Sequence, residues 1–213
     1  MSVPAGPLLL AAAVAAAPST VAVFPPEPAA ADADRAWIGE AVADRLGHDL
    51  AALGVDAVER ADGLRAQEAL EIPPVALSRA TCIRVAEALG AKRLVVGSYR
   101  TREADVTLSL NLMDSSRGTL SPPLMASGPL ETLPGLVDAL ALDIAALGPA
   151  APSRTRQELL ALRGGVVPAA FKAYGQGLSA RPFAARTRSL RHSVSLDTAH
   201  DDARIALARL LLQ

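Results

Sequence analysis

The sequence predicts an α/β domain, a mixed sheet of about five strands flanked by helices, followed by an all-α helical hairpin segment. Three observations carry this. Short apolar runs alternate with stretches of helical periodicity up to residue 148, two of the runs are joined by a tight polar turn, and beyond a Pro-rich stretch every segment reads as helix.

Thr20 to Phe24 is an unbroken apolar run stopped by Pro25 and Pro26, the pattern of a buried strand. A polar, Ala-rich loop covers Pro28 to Asp34. Over Arg35 to Leu53 the apolar positions Ile38, Ala41, Val42, Leu46, Leu50 and Leu53 recur at helical spacing, and Gly54 closes the helix. Val55 to Val58 offers a second short strand, and Ala61 to Leu70 a short helix that stops before Pro73 and Pro74. Ser78 is placed to cap a helix running to Leu89, with Gly90 as its stop.

Arg93 to Tyr99 reads as a central strand. Val106, Leu108, Leu110 and Leu112 then alternate with Thr107, Ser109, Asn111 and Met113, a half-buried strand. The polar turn around Arg102 to Ala104 makes these two an antiparallel hairpin. Asp114 to Gly118 is a further turn, and Pro122 and Pro123 demote the strand after it to an edge. Leu133, Leu136, Val137, Leu140, Ile144 and Leu147 mark an amphipathic helix ended by Gly148 and Pro149. Helices follow at Gln157 to Leu162, Ala169 to Leu178, Ala184 to Leu196 and Ala199 to Leu212, with a Gly164-Gly165 break after the first. The expected organisation is therefore a leader over 1–18, an α/β domain over 19–148, a linker over 149–156 and a helical region over 157–213.

Composition narrows the function classes. Of 213 residues, 51% are hydrophobic and only 3% aromatic, so Ala, Leu and Val must build the core. The formal net charge of −1 lacks the basic excess with which nucleic-acid binders neutralise phosphates, so no nucleic-acid partner is expected. The lone cysteine, Cys82, rules out an internal disulfide and reads as a small buried hydrophobe beside Ile83, Ala86 and Leu89. Pro7 to Ala17 is an apolar, Ala-rich run of signal-peptide length with small residues where cleavage would fall. It is too short to cross a membrane and no Lys or Arg precedes it. Export to the periplasm or outside the cell is the expected localisation, with the cytoplasm as the alternative.

These elements resemble, in order, the TolB amino-terminal domain that in bacterial proteins is found fused to tetratricopeptide repeats. The matching positions are Val21 to Phe24, Trp37-Ile38, Ala88 to Ala91, Val96 to Arg100, the alternating strand to Asp114, Gly118, and Gly128-Pro129-Leu130. Downstream, Ala170-Phe171 with Tyr174 and Gly177 resembles the helix that opens the repeats, and Ser193 to Asp197 with Ala203, Leu207 and Ala208 an inter-repeat junction. Thr198 stands where Pro is typical, and Arg186 where a small residue is expected. The resemblance implies a non-catalytic interaction or scaffold module of the cell envelope, without cofactor, whose helices meet a protein partner. The contact residues expected are Phe171, Tyr174, Arg188, Arg191, Ala203, Leu207 and Leu210. A repeat unit of about 34 residues needs a stacked neighbour. The last helix is therefore expected to fold back on the α/β domain or to pack on another chain, self-association included, unless the chain is part of a longer repeat protein.

Residues able to carry chemistry do not converge. His48 lies at the edge of the first long helix. His200 with Asp197, Asp201 and Asp202 offers oxygen ligands, but the simpler reading has Asp197 or Thr198 capping the last helix, whose positive end the acids favour. Arg181, Arg186, Arg188 and Arg191 concentrate positive charge that could meet anionic lipid or an acidic partner, but the simpler reading is a solvated face. The Gly-Gly break lacks the Lys-Ser/Thr of a phosphate loop, and no serine sits in a nucleophile elbow. No catalytic, cofactor or metal residue is assigned. The rival reading is a ligand- or signal-sensing domain using the loops after Phe24, Val58 and Tyr99, at strand ends where α/β sheets bind ligands.

Overall fold

A computed structural model describes residues 20–30, 33–73, 77–148 and 151–212; the expected leader lies outside the described residues. The sheet is mixed and five-stranded, with β1 (Val21–Val23), β3 (Arg93–Arg102), β4 (Asp105–Asp114) and β5 (Leu124–Pro129) side by side in that order and β2 (Glu27–Pro28) paired to the outer part of β3. Strand β3 is central: β1 and β2 run parallel to it and β4 antiparallel, with Leu94 opposite Met113 and Tyr99 opposite Leu108. The β3–β4 turn is as tight as expected, Arg102 pairing with Asp105 across Glu103 and Ala104. Glu103 takes a left-handed φ of 53° there, and its carbonyl accepts from Arg35 Nη2 at 2.8 Å.

Helices α1 (Trp37–Ala52) and α4 (Leu133–Ala146) cover one face of the sheet; α2 (Arg60–Ala69) and α3 (Arg79–Ala88) cover the end of the other. The helix signals act as the residue chemistry requires. Ser78 Oγ accepts from the Thr81 N–H at 3.2 Å, and Gly54 and Gly90 end α1 and α3 in the left-handed conformation. Cys82 is buried with Val85, Leu94 and Met113, and burial pushes its thiol up to about 11, so it is packing rather than a nucleophile.

Two expectations change in the sheet. Val55 to Val58 forms a single bridge between Ala57 and Val21, not a strand, because α2 begins at Arg60 and leaves no length for a ladder. Met113, assigned to the polar side of β4, is fully buried because α3 covers that end of the sheet.

The helical segment comprises α5 (Arg156–Arg163), α6 (Pro168–Ser179), α7 (Phe183–Leu196) and α8 (Asp201–Leu211). It lies against the side of α1 turned away from the sheet, and one apolar core runs from Val95 and Leu108 through Leu46 to Phe171, Leu190 and Leu210. Glycines set the spacing. A Cβ on Gly175 would stand 2.7 Å from Trp37 Cε3 and 2.8 Å from Ala41 Cβ, so α6 sits directly on α1; Gly177 admits Leu190 of α7 in the same way. Helix α8 folds back, burying Ala203 and Leu210 in this core and joining Arg209 to Glu59 at 3.0 Å. Neither Asp197 nor Thr198 caps it: α8 starts behind His200, while the Asp197 carboxylate accepts from Ala199 N–H and, across the hairpin, from Val167 N–H at 3.1 Å.

Candidate functional site

Because α1 is covered on both sides, two of its charged residues are buried along with its apolar ones. Arg45 and Asp49, one helical turn apart, are 1% and 0% exposed and face the groove between α4 and the helical segment. Arg45 Nε donates to Asp138 Oδ1 of α4 at 2.8 Å and lies 3.6 Å from Asp49 Oδ2. On the far side, Arg163 at the end of α5 donates Nε to Asp49 Oδ1 at 2.9 Å and both Nη atoms to Asp202 of α8, at 3.1 and 2.5 Å. A guanidinium suits this position because its fork engages two carboxylates at once. The chain Asp138–Arg45–Asp49–Arg163–Asp202 thus links four helices.

A second arm leaves Asp202. His48 Nδ1 stands 3.4 Å from Asp202 Oδ1 and 3.3 Å from Asp44 Oδ2, ion-pair distances without hydrogen-bond alignment, and Tyr174 of α6 donates its hydroxyl to the same Asp44 oxygen. Tyr174 stacks edge-on against His200 at 4.9 Å, and His200 Nδ1 meets Ser193 Oγ at 3.2 Å.

The environments set the protonation states. The Asp44 carboxylate beside it raises His48 above its ordinary value, burial opposing and Asp202 assisting. Burial pushes Asp49 up to about 7 against the pull of Arg45, with nearby Asp138 adding to the rise. Burial works the same way on Asp202, but Arg163 outweighs it and holds that carboxyl low. Burial lowers His200 below its ordinary value, and raises Tyr174 well above its usual range with the Asp44 charge adding to it.

The neighbouring serine and histidine do not make a nucleophile. Ser193 Oγ gives its proton to Ala170 O at 2.8 Å, so it accepts from His200, and both residues are within 3% of complete burial. What the cluster does chemically is hold helices. Asp202 is spent on Arg163, while Asp201 points outward to Arg204. Among the described residues no group of three or more His, Cys, Asp or Glu is placed to hold a metal ion, and no helix is long and apolar enough to cross a membrane.

The residues expected to meet a partner fall into two sets. Phe171, Tyr174, Ala203 and Leu210 are buried against α1 and one another, so in this arrangement the chain itself occupies them. Arg188 and Arg191 are exposed on α7, and Leu207 is half-buried on α8. The arginine face is uneven, with Arg186 only part-exposed and its Nε buried without a partner. Beside the segment after Val58 lie a cavity of about 10 Å³, lined by Phe24, Val58 and Gln67, and a shallow open groove of about 690 Å³, lined by Asp56, Glu59, Asp62 and Arg65. Arg45, Asp49, Asp138 and Arg163 escape sequence reading because their pairings span 93 and 114 residues.

No family model matches the chain, and no curated protein matches it. Among solved structures it is similar to the LpoB C-terminal domain from Salmonella enterica, at 19% identity and a TM-score of 0.43 over 55% of this chain and 87% of that one. Lipoprotein GNA1162 from Neisseria meningitidis is similar at 16% identity and a TM-score of 0.43, covering 61% of this chain and 99% of that one. The PelC dodecamer from Paraburkholderia phytofirmans is similar at 16% and 0.38, covering 61% and 85%. At these TM-scores none of them carries an argument about what this chain binds or does.

Proposed function

We propose that the chain is a non-catalytic interaction module of the bacterial cell envelope, and that the outer surface of α7 and α8 receives a protein partner. The observation that carries this is where exposed apolar side chains collect. Of twelve large ones among the described residues, eight lie in the helical segment, and four of these, Phe183, Leu196, Ile205 and Leu211, are on α7 and α8. Scattered single exposures need no explanation, but concentration on one segment marks a contact surface. Arg188 and Arg191, exposed on α7 between Phe183 and Leu196 in sequence, favour a partner with acidic side chains around an apolar centre. The leader-like Pro7 to Ala17 run and the resemblance to the TolB amino-terminal domain support the envelope setting.

A variant carrying Arg188→Glu, Arg191→Glu and Ile205→Asp tests this. All three positions are exposed, so stability is expected to hold within about 0.5 kcal/mol per substitution. Recovery of the partner from host envelope extracts should fall about tenfold or more. Undiminished recovery by a folded variant would count against the α7–α8 surface.

A further inference from the structure

The buried cluster does not balance as a set of fixed charges. Four carboxylates, Asp44, Asp49, Asp138 and Asp202, face two guanidinium groups, Arg45 and Arg163. Fully ionised, they leave two negative charges at an interface where uncompensated charge is costly. The geometry offers places for two protons. One is His48, between Asp44 and Asp202. The other is Asp49, whose Oδ2 is buried without a hydrogen-bond partner.

We propose that this cluster is a proton-operated latch, in which His48 and Asp49, when protonated, hold α5–α8 onto α1 and α4, and release them as the pH rises. The groups facing His48 are Asp44 on α1, Asp202 on α8, Arg163 on α5 and Tyr174 on α6; those facing Asp49 are Arg45 on its own helix, Asp138 on α4 and Arg163. The His48 side chain is 36% exposed, with its Nδ1 buried between the two carboxylates.

The direction follows from linkage. Both groups bind protons more tightly closed than open, so their contribution is complete below their ordinary values and lost as pH rises through the closed-state values. For Asp49 that loss runs from 3.8 to about 7; for His48 it begins at 6.5 and extends upward. His200 and Asp202 are shifted down, so they favour the closed state above 6.5 and 3.8 and add no slope at higher pH. Above about pH 6.5 only the loosening arm remains. Release uncovers Phe171, Tyr174 and Trp37, the chain's single tryptophan. The latch does not depend on any partner.

The test is hydrogen exchange of the full chain from about pH 6 to about pH 8, corrected for intrinsic rates, with acrylamide quenching of Trp37 read in parallel. The opening equilibrium of α5–α8 should rise by up to about tenfold per pH unit for each proton released, while β3 and β4 keep their protection. His48→Gln should flatten the rise above about pH 6.5, and Asp49→Asn, which fixes the neutral form, the rise below about 7. Should Asp49→Asn not fold, His48→Gln decides alone, since that side chain is partly exposed. Opening that ignores pH, keeps its slope in His48→Gln, or takes β3 and β4 with it would overturn the latch.

Discussion

Replacing Asp138 with Ala is expected to lower stability by about 3–5 kcal/mol, the cost of stripping one partner from a buried ion pair. Asp138 is 2% exposed and takes the 2.8 Å hydrogen bond from Arg45 Nε. Without it, Arg45 keeps Asp49 at 3.6 Å and the Phe171 ring at 6.0 Å, neither of which replaces an aligned carboxylate, and its Nη1 already lacks a partner. Urea denaturation reads the loss as a lower midpoint at unchanged slope. Replacing Arg45 with Met in the same chain should recover most of it, because the penalty belongs to the stranded charge. If Asp138→Ala alone costs nothing, the cluster is not the clamp described.

The second large effect is expected from Gly175→Leu. A Cβ there already meets Trp37 Cε3 at 2.7 Å and the Trp37 carbonyl at 3.0 Å, so a branched side chain cannot enter without moving α6 off α1. Overpacking of this kind costs about 1–3 kcal/mol and more where backbone must yield. The response should be local: Trp37, 5% exposed, becomes hydrated and its emission shifts to the red, while β3 and β4 stay protected. Emission that stays blue would mean that the contact between α1 and α6 is more tolerant than its geometry indicates.

Both predictions act at the contact that sequence reading foresaw least. The elements themselves were legible because local chemistry decides them. Ser78 and Gly90 bracket α3, Pro25 and Pro26 follow β1, and the alternation from Val106 to Leu112 matches the buried face of β4 except at Leu112, which is only half-buried. The layer between the sheet and the helical segment was not. Ile38, Leu46 and Leu50 announce one buried face of α1, but Arg45 and Asp49 look in one dimension like the solvated opposite face. Only the arrival of Asp138 and Arg163 from distant segments makes them interior. The same packing explains why Phe171 and Tyr174, expected as contact residues from the resemblance to repeat helices, are sealed. Gly175 and Gly177 bring helices over them, and no pattern in the sequence says which helix will arrive.

The most direct test of the proposed function is site-specific photo-crosslinking in the native host, with the reactive group placed at Arg188 or Ile205 and, as a control, at Leu64. All three are exposed, Ile205 and Leu64 equally so at 48%, but Leu64 lies on α2, outside the helical segment. A shared, discrete protein adduct from positions 188 and 205, found in the envelope fraction and absent from position 64, is the result predicted. No adduct from either helical position, or the same adducts from all three, would contradict the assignment of α7 and α8 as the partner-binding surface.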